Sequence, residues 1–121
     1  MLLRLRPLAG TCALVRDLFF TARTPQAVVD DCQAQLHDES YLAFLDMLVL
    51  SRHTPRLVET PMLVLGAEHD GFFTVRELRR TARAYRTEAH IVPGIGHDMM
   101  LEPGWQGVAE RIDAWVRRAV R

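Results

Sequence analysis

The sequence predicts an α/β fold. A helical first part, residues 1–56, leads into a βαβ unit with two parallel strands and a C-terminal helix, residues 57–121. Three observations carry this. Apolar residues up to position 50 recur at helical spacing, a short continuous apolar run follows Pro61, and a second such run follows one amphipathic helix. The chain has 121 residues, 49% of them hydrophobic, enough for one modest core.

The elements follow in order. Residues 13–20 make a short apolar helix. Thr24-Pro25 then reads as an N-cap with proline at the first helical position, ahead of Val28, Val29, Cys32 and Leu36 at helical spacing. Asp38 or Ser40 can cap a third helix over 41–50, which is apolar nearly all round and must be covered on more than one side. The first part is therefore expected to be all-helical. After Pro61, Met62-Leu63-Val64-Leu65-Gly66 has the pattern of a strand buried on both faces. Thr74-Val75-Arg76-Glu77 is a capping box that opens a helix with Val75, Leu78, Ala82 and Tyr85 on one stripe and five arginines on the rest. Ala89-His90-Ile91-Val92 reads as the second strand, closed by Pro93-Gly94. Strand, helix and strand in this order predict parallel strands and a right-handed crossover. The last helix gathers Trp105, Val108, Ile112, Trp115, Val116 and Ala119 on one face, with arginines near its C-terminus, where positive charge suits the dipole.

Composition narrows the function classes. Fifteen basic and fifteen acidic residues cancel, so no net field favours nucleic acid or an anionic membrane. Every basic residue is arginine, and none forms a run interleaved with aromatics. Cys12 and Cys32 match no metal or redox spacing and are expected as buried free thiols. The first seven residues are broken by arginine and proline and do not read as a signal peptide, and no stretch is long enough to span a bilayer. A reducing, cytoplasmic setting is expected.

The chemistry is expected at the C-terminal ends of the two strands, the edge where open α/β sheets place ligands. One loop there is Gly66-Ala67-Glu68-His69-Asp70-Gly71. The other is Pro93-Gly94-Ile95-Gly96-His97-Asp98-Met99-Met100. Parallel neighbours bring the loops side by side, so a carboxylate and an imidazole can share a hydrogen bond. That is the acid–histidine half of a nucleophile–histidine–acid triad. Glu68 and Asp70 both qualify as the acid, and Asp70-Gly71 also has the form of a simple turn. His69 reads as a solvated neighbour, His90 as a strand residue, and His37 and His53 as surface residues at segment ends.

On these loops residues 60–118 resemble the end of the α/β-hydrolase fold. Leu63-Val64-Leu65-Gly66-Ala67-Glu68-His69-Asp70 is similar to the family's acid loop, and Pro93-Gly94-Ile95-Gly96-His97 to its histidine loop, 27 positions from Asp70 to His97. Asp98-Met99-Met100-Leu101-Glu102-Pro103-Gly104-Trp105 looks like the lipase- and esterase-like members. The resemblance implies a partial α/β-hydrolase fold, with residues 1–56 as the helical cap or lid-like segment and 57–121 as the C-terminal part of the core. It implies catalytic roles for Asp70 and His97, no cofactor, and a small-molecule ester or acyl substrate in the complete enzyme. Relatives of this fold that cleave carbon–carbon, carbon–halogen or epoxide bonds remain open.

The sequence departs from the family in one respect. The G-x-S-x-G elbow is absent: neither serine, Ser40 or Ser51, is flanked by glycines, and Cys12 in Gly10-Thr11-Cys12-Ala13-Leu14 lacks the second glycine and a preceding strand. The strands that would bear the oxyanion hole are absent too. The expectation is a serine-hydrolase fragment, inactive alone, that self-associates through an exposed sheet edge. Two other readings stand beside it. One is a metal site from Glu68, His69, Asp70, His97 and Asp98. The other is a non-catalytic interaction module that folds with a partner chain.

Overall fold

A computed structural model describes residues 2–3, 11–36, 39–40 and 55–119. In chain order these form β1 (Leu2–Leu3), α1 (Cys12–Phe19), α2 (Gln26–Gln35), β2 (Glu39–Ser40), a 3₁₀ turn (Pro55–Leu57), β3 (Val64–His69), α3 (Val75–Ala84), β4 (Ala89–Gly96) and α4 (Trp105–Ala119). The mixed α/β class of the sequence reading holds. β3 and β4 pair in parallel, Val64 opposite Ala89 through Ala67 opposite Val92, with α3 as the crossover packed on both strands.

The first part differs from the all-helical expectation. β1 and β2 pair antiparallel, Leu2 opposite Ser40 and Leu3 opposite Glu39. A two-residue ladder needs only backbone groups, so hydrophobic periodicity carries no trace of it. Ser40 is thus part of a strand. The apolar helix expected over 41–50 lies outside the described residues, as do Ser51, His37, Asp38 and His53.

α1 begins at Thr11, whose hydroxyl accepts from Leu14 N at 3.3 Å. α2 starts one residue later than expected. Pro25 is itself the cap, its carbonyl accepting from Val28 N and Val29 N, while the Thr24 hydroxyl is buried and caps nothing. Arg16 ties the intervening turn by donating to the carbonyls of Thr21 and Thr24, both at 3.0 Å. Val15, Phe20 and Val29 form one core, flanked by Phe19, Val28, Cys32 and Leu36. The cysteines are not buried as expected. Cys12 is exposed, because it opens α1, and Cys32 is half-buried at the core's margin.

The second core is Ala67, Ile95 and Val108, with Leu65, Val92 and Met99 against it. It joins β3, β4 and α4. The expected burial of residues 62–65 on both faces is not reached. They are half-buried, because a two-stranded sheet leaves each strand with one neighbour. Both strands run farther than their apolar patterns. β3 continues through Glu68 and His69. β4 continues past Pro93-Gly94, which was expected to close it, by an irregularity between the Ala67 and His69 pairings. Proline has no N–H to give a ladder, so it sits where the ladder is interrupted. Gly94 takes φ +64°, and its N–H donates to the Glu68 carboxylate at 2.8 Å in place of a backbone partner. The capping box of α3 forms as predicted: Thr74 accepts from Glu77 N, and the Glu77 carboxylate accepts from Thr74 N at 2.8 Å. Among the described residues no helix is long and apolar enough to cross a membrane.

Candidate functional site

The sheet register sets the site. His69 lies opposite Gly96, so the next residues, Asp70 and His97, leave adjacent parallel strands at the same edge. Their side chains meet there, with His97 Nδ1 2.9 Å from Asp70 Oδ2. Asp70 is nearly enclosed, its side chain 5% exposed, while the His97 ring is 31% exposed. The other oxygen, Oδ1, accepts from Phe72 N at 2.8 Å and Phe73 N at 2.9 Å. The Asp-Gly turn and the carboxylate–imidazole contact are therefore one arrangement, not rival readings. The turn fixes the carboxylate, and the carboxylate fixes the ring.

Burial pushes the Asp70 carboxyl up. The hydrogen bonds from His97 and from the Phe73 and Phe72 amides outweigh that and hold it below the ordinary carboxylate range. An ionised carboxylate only accepts, so Nδ1 carries a proton, and in the neutral ring the free lone pair is then on Nε2. This is the tautomer a general base needs.

Three phenylalanines frame the ring. Phe72 lies 4.7 Å from it between centroids, Phe19 meets it edge-on at 5.8 Å, and Phe73 stands at 6.1 Å. Phe72 also meets Phe19 edge-on at 4.9 Å. These residues escaped the sequence reading. Phe72-Phe73 follows Asp70-Gly71 directly, and an aromatic pair beside a proposed acid is the signal that could have drawn attention to them.

The C-terminal turn of α1 is docked on both loops. Gly71 N donates to Leu18 O at 3.2 Å, and Asp98 N donates to Phe19 O at 3.0 Å. The approach is close enough to require glycine. A Cβ at Gly71 would lie 2.5 Å from Leu18 Cα, and one at Gly96 2.7 Å from Phe19 O and 2.9 Å from Phe20 Cα. The buried Glu102 carboxylate spans the same junction, accepting from the Thr21 amide, the Thr21 hydroxyl and Gly96 N.

The other named residues go elsewhere. Glu68 holds Gly94 and does not touch His97. His69 is exposed, 3.7 Å from Glu68. His90 is half-buried within β4. Asp98 accepts from the Cys32 thiol at 3.7 Å. Burial raises both of these groups, and for Cys32 the neighbouring Asp98 charge adds to it. A thiol so held is a poor nucleophile. Among the described residues no three His, Cys, Asp or Glu side chains gather as a metal site. The five residues of the metal reading fall instead into the pairs Asp70–His97 and Glu68–His69, with Asp98 against Cys32. Cys12 donates to Gln33 at 2.5 Å, away from this edge. Compared with protein-family models, with curated proteins and with solved structures, the chain matches none.

Proposed function

We propose that this chain supplies the acid–histidine half of an acyl-transfer site of the serine-hydrolase kind, acting on a carboxylic ester or similar acyl bond. The observation that carries the reading is the 2.9 Å contact between His97 Nδ1 and an almost enclosed Asp70 carboxylate, on loops that follow adjacent parallel strands. In the proposed reaction a hydroxyl nucleophile gives its proton to His97 Nε2 as its oxygen attacks the acyl carbon. Asp70 keeps the ring oriented and stabilises the imidazolium. His97 then returns the proton to the departing alkoxide. The nucleophile and the oxyanion donors come from polypeptide outside this sequence.

The proposal implies that the 121-residue chain alone does not hydrolyse activated esters faster than free imidazole. A serine-directed fluorophosphonate leaves it unlabelled. Stoichiometric labelling at Ser40 or Ser51 overturns that division of labour.

One observation favours a second reading, a non-catalytic module that docks on another chain. Trp105, Ile112 and Val116 lie on one face of α4 and are each more than 40% exposed, with Met100 and Leu101 exposed just before the helix. The pair and the apolar face are compatible in one molecule. Loss of partner binding on Trp105→Ser, with no effect of His97→Gln on any acyl transfer, favours the module.

A further inference from the structure

Glu102 is a charged side chain only 1% exposed. A carboxylate in that position is costly unless donors meet it. Three do. The Thr21 amide and Gly96 N at 3.2 Å converge on Oε1, and the Thr21 hydroxyl donates to Oε2 at 2.9 Å. Thr21 belongs to the turn after α1, and Gly96 is the residue before His97. On the other side of His97, Asp98 N donates to Phe19 O. The histidine is thus held through both of its neighbours by one short stretch of chain, residues 19–21. On the Gly96 side the link runs through the Glu102 carboxylate, and no contact of its own reaches the imidazole.

We propose that Glu102 is a positioning residue for His97. Through Gly96 N it locks the histidine loop to the turn after α1, at the height where the ring meets Asp70 and turns Nε2 outward. The segment before β3 then acts on the site through this carboxylate, not only by covering it. The role rests on reading Asp70 and His97 as an acid–histidine pair, but its readout needs no acyl transfer. Neutral glutamine keeps an acceptor oxygen for the Gly96 and Thr21 amides, and the Thr21 hydroxyl can turn to accept from its NH₂. The role is therefore one of hydrogen bonding, not of charge.

The test is nitrogen-15 NMR of the labelled full chain, reading the His97 tautomer and the exchange of its Nδ1 proton. The wild type gives one Nδ1–H tautomer with a protected ring proton. Glu102→Ala gives mixed tautomers and exchange at least about tenfold faster, and Glu102→Gln restores the wild-type signature. Should Glu102→Ala not fold, Glu102→Asp gives the same reading, because its shorter arm cannot span Thr21 and Gly96 together. A folded Glu102→Ala or Glu102→Asp chain with a lower Tm and an unchanged His97 signature reduces Glu102 to a structural residue and overturns the proposal. So does Glu102→Gln behaving like Glu102→Ala. An intact signature in a longer chain that still fails at acyl transfer sinks the hydrolase reading alone.

Discussion

Asp70 serves three donors with two oxygens, and this division decides how a substitution behaves. An asparagine in its place would keep one oxygen for the Phe72 and Phe73 amides and turn an NH₂ group toward His97. The ring would then accept at Nδ1 and carry its proton on Nε2, the wrong tautomer for a base. Asp70→Asn is expected to cost about 1–2 kcal/mol at neutral pH, the loss of one charge-assisted hydrogen bond. The cost depends on pH with a defined sign. The folded Asp70 is held below its ordinary range, so its stabilisation is fully present above the unfolded value, near pH 4, and is lost as pH falls through the folded value. Urea denaturation of both chains should give a gap that is present above about pH 5 and closes as pH falls below about 4. A gap that widens in acid contradicts the assignment. At this scale the sequence was informative where a loop follows a strand, since that topology alone brings Asp70 to His97. It was silent on Glu102 and Thr21, whose contact joins residues 81 positions apart with no periodic pattern between them.

Between the elements, close backbone approach does what side chains do elsewhere. The C-terminal turn of α1 and the residue after it rest directly on Gly71 and Gly96. Gly71→Ala drives a methyl against Leu18 backbone, where nothing flexible can yield, and is expected to cost about 2–3 kcal/mol. Thr74→Ala, only three residues on, removes a side-chain cap and leaves α3 otherwise intact, at about 1 kcal/mol. Thermal unfolding of the two variants checks the order. If Gly71→Ala is the milder, the docking of α1 on the acid loop is wrong. The capping box and the apolar stripe of α3 were legible because both are local. The strand ends were not. Glu68, His69 and the Pro93-Gly94 bulge break the apolar pattern, and only the ladder across to the neighbouring strand keeps them extended. Thr24-Pro25 misled by one residue because an N-cap signature describes residue types, while the Thr24 side chain is drawn into the core.

Taken whole, the described molecule has two small cores joined by the α1 turn, and a parallel sheet of two strands with an edge on each side. Parallel sheets ordinarily bury both faces. Here Trp105, Ile112 and Val116 of α4 stay exposed, as does Leu57 ahead of β3. Open edges and contiguous apolar surface recruit other chains. The proposed consequence is that the isolated chain self-associates and binds an apolar dye. Light scattering of a monodisperse, dye-free monomer would show instead that the helical part covers the sheet by itself. Composition had suggested a core of modest size, but it carries no sign of which faces remain uncovered.

The proposed acid–histidine role also admits a direct test. The chain is to be produced joined to the polypeptide encoded in frame upstream of it, then treated with a fluorophosphonate and with a p-nitrophenyl ester. The proposed acid–histidine role for Asp70 and His97 predicts labelling at a serine within G-x-S-x-G, ester hydrolysis far above that of free imidazole, and a loss of about 10³-fold or more on His97→Gln. An upstream frame without such an elbow, or a longer chain whose hydrolysis is indifferent to His97→Gln, would contradict it.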